Sequence, residues 1–367
     1  MTSQINLLEP EAVSATTASV RANFAIAAEE ITALQNAVAA IPAGGGGAAS
    51  PLLNALAASN WKNNSTTIMG QLNAVAYCPP FDIFVAVFNQ WSAGLFATSA
   101  NGMVWQNHNM ADPRSFTALA WSESLGIFSA VAKSGTGNRA VVINPQGGAT
   151  NCATPADNDW FGVARSEELG LFVAVAHAGD TGRVMTSPDG NVWTQVQNTP
   201  DGAWYAIRWI ADLALFVAVG GDFGNSGVMT SPDGKTWTRQ DTGGNDIWRC
   251  LAYSPKLKLI VALGDSGATM NVMTSPDAIT WTKYASAINT AFECVEWSTT
   301  FEMFVGLAMS GVNGRALASH DGVKWFMQQV SLNAEWRGLA WSEAQGQYVA
   351  VGNNSGLGGC MYTGQLC

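Results

Sequence analysis

Two aromatic side chains and three carboxylates have the type and placing that ligand chemistry asks for: Trp91, Phe223, Asp180, Asp222 and Asp265. Trp91 lies in FNQWS, and the others lie in AHAGDTGR, GGDFGNSG and GDSGATMN, stretches whose Gly, Ser and Asn content marks exposed loops. Aromatic rings beside Asp and Asn suit a ligand that stacks one face and bonds through hydroxyls, as a sugar does. The competing reading, of equal weight, has Trp91 plugging a channel or covering a neighbouring loop. Metal chemistry finds little here. The three His (His108, His177, His320) do not stand at ligand spacing from any of the six Cys, and no CxxC occurs. No catalytic residue, no cofactor and no metal are expected.

These candidates stand out because almost everything else obeys a ruler. An opening residue recurs at Leu72, Phe116, Trp160, Trp204, Trp248, Phe292 and Trp336, every step being 44 residues. Phe84, Phe128, Phe172, Phe216, Ile260, Phe304 and Tyr348 mark an FVAV-like run on the same ruler. Of 15 Trp, all but Trp91 fall on three repeat positions and read as core. Cys250 and Cys294, one period apart, likewise read as small buried residues. Free thiols are expected, with a Cys360–Cys367 bridge as the alternative.

Within one copy, Trp204–Trp209 alternates bulky with small or polar residues, as a half-buried strand does. Phe216–Val219 is nearly all apolar, the pattern of a strand covered on both faces. Gly220–Ser226 reads as a loop, Gly227–Ser231 as a third strand, Pro232-Asp233-Gly234 as a tight turn and Thr236–Arg239 as a fourth strand. A period in the forties with four short strands predicts an all-β chain, a β-propeller of seven blades. The closing Trp sits at Trp105, Trp193, Trp237, Trp281 and Trp325, with Ala149 in the second copy. The last copy would need its Trp at 369, beyond Cys367, and counting back seven periods lands on Trp61. The segment around Trp61 is therefore expected to close the ring as an outer strand. The second copy, VVINPQGGAT, is the most degenerate and predicts an irregular outer edge.

Ahead of the ring, residues 1–42 predict a helical attachment segment, 43–58 a Gly/Ala-rich linker, and 59–367 the propeller. Over 9–41 the apolar residues fall in two interleaved sets seven apart, Val13, Val20, Ala27, Leu34, Ile41 and Thr17, Phe24, Ile31, Val38. That is the seam of a short α-helical coiled coil. The block Val20, Phe24, Ile31, Leu34 and Val38 is expected to oligomerise or anchor the chain, as a homotrimer through 10–41. The alternative packs this helix on its own ring.

The whole chain carries a net charge of −10 with 17 Lys and Arg and no basic run, which argues against nucleic-acid binding. No apolar stretch approaches membrane-spanning length, and MTSQINLLEPEAVS lacks the basic start and apolar core of a signal peptide. Synthesis in a cytoplasm without membrane insertion is expected.

Ser187-Pro188-Asp189-Gly190-Asn191-Val192-Trp193 and the matching run Ser231–Trp237 resemble the Asp-box of sialidase-like propellers. Ser275–Trp281 has Ala278 for the Gly, and Ser319–Trp325 has His320 for the Pro. The box here is one residue shorter between Asp and Gly than its commonest form. The resemblance implies a structural turn between third and fourth strands, with Ser and Asp bonding the backbone and Trp in the core. It implies no hydrolysis, because that chemistry would need three arginines gripping a carboxylate, a Tyr nucleophile and an acid/base pair. Arg139, Arg183 and Arg315 share one repeat position, and Arg249 and Arg337 another, as repeat structure explains.

Arg21-Ala22-Asn23-Phe24 through Glu30-Ile31-Thr32-Ala33-Leu34-Gln35 resembles helical segments that begin bacteriophage fibre and head-decoration proteins. That resemblance implies a structural virion protein, a tail fibre or capsid-attached fibre, assembled in the host cytoplasm. Its partners would be other virion proteins and a host surface glycan or protein. A non-viral lectin-like or scaffolding propeller is the alternative.

Overall fold

The inner strand of the copy used above, Trp204–Ile210, buries Trp204, Ile207 and Ile210, and its neighbour Leu215–Asp222 is covered on both faces from Phe216 to Val219. Such a strand cannot lie on a surface. It needs a sheet on either side, and the repeat supplies them. The computed structural model describes residues 61–64, 71–89, 94–110, 114–180, 182–222, 225–244, 246–265, 270–286, 288, 290–309, 316–328, 334–354 and 358–364. Among them, strands assemble into seven four-stranded antiparallel sheets. The first strands of successive sheets touch in an unbroken cycle, the seventh returning to the first. These sheets are the blades of a ring, numbered here from the one that begins at Gln71.

Six blades are made of four consecutive strands. The seventh runs Glu335–Ser342, Gln347–Asn354, Gly358–Gly364 and then, from the far end of the chain, Trp61–Asn64. Trp61 faces Gly364 and Asn64 faces Met361 in antiparallel register. The clasp covers an edge that would otherwise invite a foreign strand.

Blade-to-blade packing depends on the opening residue. Trp204 is 1% exposed and packs with Val173, Val175 and Val184 of the preceding blade. Trp248 meets Val217, Val219 and Val228 in the same way, and Phe116 meets Val85, Val87 and Phe96. Each such side chain contributes roughly 1.5–3 kcal/mol by leaving water.

The Ser-x-Asp-Gly turns are hydrogen-bonded knots. Asp189 accepts from the backbone N–H of Asn191 and Val192, Gly190 N–H donates to Ser187 Oγ at 2.8 Å, and Trp193 Nε1 donates to the Gly190 carbonyl. The Val192 N–H chiefly holds the Asp189 carboxyl below its ordinary range. The same bonds recur around Asp233 and Asp321. Gly234 has φ +72, and a Cβ there would stand 2.9 Å from Leu171 and Val173. Gly234→Ala is therefore expected to cost about 1–2 kcal/mol in denaturant unfolding without loss of the fold. Ala278 already occupies that turn position in blade five at φ 62.

Three expectations are corrected. Among the described residues there is no α-helix, only the 3-10 turns Pro79–Phe81 and Ala211–Leu213. The helical part of the expected fold is thus absent from what is described. The coiled-coil segment, with Val20, Phe24, Ile31, Leu34 and Val38, lies outside the described residues. Gly220–Ser226 is not a loop: Leu215–Asp222 and Asn225–Ser231 stay paired out to Asp222 and Asn225. Gly220 marks a close approach instead, since a Cβ would fall 2.1 Å from the Ala203 carbonyl oxygen. Finally, the outer edge of blade two is regular, Ala140–Ile143 pairing residue for residue with Ala149–Cys152. A tight turn closed by Asn144 and Gly148 replaces the usual box.

Candidate functional site at the mouth of the channel

In every blade the pairing of the first two strands slips by one residue just after the opening residue. Such a bulge leaves one residue outside the ladder and re-aims its side chain. The seven residues so released are Asn73, Thr117, Phe161, Tyr205, Arg249, Glu293 and Arg337, and all seven line a cavity of about 300 Å³ on the ring axis. Antiparallel pairing places this mouth on the same face as the loops between second and third strands. The opposite face carries the Ser-x-Asp-Gly turns.

Below the bulge ring come small residues, among them Ala74, Ala118, Gly162, Cys250 and Cys294. Burial raises both thiols, leaving them protonated and poor nucleophiles. Three residues beyond the bulge, most blades place Ala, but blade four has Arg208 and blade six Glu296. These two form an ion pair that spans blade five, and Arg208 Nε donates to the Leu251 carbonyl of that blade at 2.9 Å. They floor the cavity.

The mouth is asymmetric. Lys133 Nζ lies 5.7 Å from the Phe161 ring centroid; Phe161, His177 and Tyr205 form a cluster with centroids 4.7–5.5 Å apart. The Arg249 guanidinium then covers Tyr205 at 4.4 Å. Beyond it, Glu293 sits between Arg249 at 3.6 Å and Arg337 at 3.8 Å. Asp265 bonds Arg249 at 3.2 Å, and Glu335 lies 3.6 Å from Arg337. Burial pushes the Glu293 carboxyl above its ordinary range, against the pull of Arg249 and Arg337. Glu293 Oε1 and the Nε atoms of Arg249 and Arg337 are buried without a hydrogen-bond partner. On the other side, Asn73 and Thr117 are spent on structure, donating to the carbonyls of Phe116 and Trp160 at 2.7 Å.

Of the residues singled out in the sequence, the structure brings Asp265 into this site, through Arg249. Asp180 is exposed in its loop, its N–H donating to Asn158, and does not line the cavity. Asp222 is placed by its backbone at the end of a strand. Trp91 and Phe223 lie outside the described residues. Arg139 and Arg183 brace loops, donating to the carbonyls of Lys133 and Gly135, and of His177 and Gly202. Arg249 and Arg337 are more than repeat structure, because Glu293, one blade away from each, draws them together. Their signal was in the alignment of copies: the residue after the opening aromatic changes chemical type from blade to blade while its neighbours hardly vary. Among the described residues no cluster of three His, Cys, Asp or Glu has metal-binding geometry.

No family model and no curated protein matches the chain. Solved structures do match in shape. The chain is similar to a streptogramin B lyase structure with TM-score 0.68 and 10% identity, covering 84% of this chain and 98% of that one. It is similar to the Cps50 (Swd1) β-propeller domain of Myceliophteria thermophila with TM-score 0.58 and 13% identity, over 83% and 99%. The Pan2 WD40 domain of Neurospora crassa gives 0.60 at 8% identity, over 83% and 95%. At these identities the likeness is one of fold: the chain is a β-propeller.

Proposed function

We propose that this propeller is a non-catalytic binding module that presents the mouth of its channel to a ligand. One observation carries the reading: a chain that repeats its core from blade to blade diversifies the seven bulge residues around that mouth. Aromatic rings, cations and carboxylates gathered in a floored cup suit recognition. The nearby thiols of Cys250 and Cys294 are buried. This is the lectin-like or scaffolding reading.

The more particular setting we propose is a phage virion, as tail fibre or capsid-attached fibre, meeting a host surface glycan or protein. Its support is the resemblance of Arg21–Gln35 to virion attachment segments. Hydrogen exchange of the full chain, with and without bacterial surface extract, tests the module. Protection is expected around residues 204–206, 248–250, 292–294 and 336–338. Protection confined to the Ser-x-Asp-Gly face would overturn it. For the setting, antibodies to the chain are expected to label purified particles, and unlabelled particles containing none of the chain would leave the non-viral reading.

A further inference from the structure

The polar groups at the mouth divide into two equal camps. Lys133, Arg249 and Arg337 bring three positive charges, while Asp265, Glu293 and Glu335 bring three negative ones. Below them Arg208 and Glu296 cancel each other. Asp265 and Glu335 stand outside the cavity lining, paired with Arg249 and Arg337, so each of the two arginines already has a carboxylate partner besides Glu293. Yet the contacts are loose. Glu293 meets its two arginines only at 3.6 and 3.8 Å, beyond good hydrogen-bond length. Its Oε1 and both Nε atoms have no hydrogen-bond partner. A buried donor or acceptor left in that condition is costly.

A group that can both accept from a guanidinium and donate to a carboxylate would relieve these atoms together. A hydroxyl does so, and adjacent hydroxyls on one ring do so for several at once. Beside the triad, Phe161 and Tyr205 supply apolar ring surface, both only half-buried. A pyranose has the complementary faces, C–H groups on one side and hydroxyls around its edge. The cavity, at about 300 Å³, lies at the small end for ligand sites and suits one ring rather than an extended chain.

We propose that the mouth binds a single neutral pyranose ring. The ring packs against the exposed parts of Phe161 and Tyr205, which Lys133 and Arg249 cover only in part, and its hydroxyls bridge Glu293 to Arg249 and Arg337. This rests on the mouth being the ligand site, as argued above, and adds the class of ligand. It also gives Glu293 a reason to be there, since burial alone disfavours its charge.

The test is calorimetric titration of the full chain with neutral monosaccharides, their methyl pyranosides, N-acetylneuraminic acid and inorganic phosphate. The variants are Tyr205→Ala, Glu293→Gln and Arg337→Ala, each checked for an unchanged melting transition. Glu293→Gln removes the charge that burial disfavours and keeps the shape, so it is the variant expected to fold normally. The expected result is millimolar binding of at least one neutral sugar, weakened tenfold or more by Tyr205→Ala and by Glu293→Gln. Methyl pyranosides binding as well as free sugars would point to a residue within a surface polysaccharide; preference for the free form would point to a soluble sugar. Either supports the site. Sialic acid or phosphate binding in place of neutral sugars, and lost in Arg337→Ala, would overturn the neutral-sugar assignment while leaving the mouth as a ligand site. Sugar binding indifferent to all three variants would place the sugar elsewhere and overturn the proposal. Failure of every ligand to bind would overturn it too, and extract-induced protection at the mouth would then decide whether the broader reading survives.

Discussion

A chain lacking residues 61–64 is expected to melt far below the intact protein and to associate once warmed. The four residues supply the outer strand of blade seven, facing Gly364, Thr363, Tyr362 and Met361. Without them Gly358–Gly364 becomes a free edge with unpaired N–H and C=O groups, the template that draws in strands from other molecules. At about 1 kcal/mol net for each backbone hydrogen bond, the direct loss is on the order of 4 kcal/mol. The indirect loss adds to it, because blade seven also packs on blade one and closes the ring. Scanning calorimetry with sedimentation reads both effects. A melting temperature equal to that of the intact chain, with a monodisperse boundary, would sink the clasp.

Trp204→Ala should cost about 3–5 kcal/mol of unfolding free energy, the range for emptying a large buried aromatic site. The side chain is 1% exposed, its Nε1 donates to the Pro200 carbonyl at 3.2 Å, and it fills the seam between blades three and four. Trp204→Phe is the informative control. Phe116 and Phe292 hold the equivalent place in other blades at 1% and 0% exposure, so this seam geometry accepts a single ring. A cost of about 1–2 kcal/mol is expected for it, as for a partial core truncation. Urea unfolding of both variants measures the pair. Equal losses for Ala and Phe would mean that the indole hydrogen bond, not packing, holds the seam.

How much of this could be read beforehand depended on whether a residue's task was the same in every blade. The opening aromatics, the FVAV runs and the closing Trp do one job throughout, so the ruler exposed them and even located Trp61. Strand limits were less legible: Gly220 looks like loop material because composition cannot distinguish a flexible glycine from one pressed against a carbonyl oxygen. The ligand site hid for a related reason. A bulge is a property of pairing between strands, invisible in the alternation of one strand, and it is the bulge that turns Tyr205, Arg249, Glu293 and Arg337 to the axis. Arg249 and Arg337 were read as repetition because they recur; Glu293, standing between them, breaks that pattern. Of the loop residues chosen instead, Asp265 bonds Arg249, whereas Asp180 is exposed and does not line the cavity. The helical segment and the virion resemblance concern residues on which the described structure is silent.

The ion pair at the floor ties the ring on one side only at its level. Arg208 reaches from blade four to Glu296 of blade six and holds the Leu251 carbonyl of blade five on the way. Three neighbouring blades are thereby tied like staves under one cross-brace, where blades one, two, three and seven offer only Ala76, Ala120, Ala164 and Ala340 at that level. The braced sector stands beneath Arg249 and Glu293. On the other side, Asn73 and Thr117 tie blade one to blade two and blade two to blade three by hydrogen bonds at the level of the mouth instead. Of the charged groups of the cup, Arg249, Asp265 and Glu293 belong to the braced blades, whereas Lys133, Glu335 and Arg337 stand on blades two and seven.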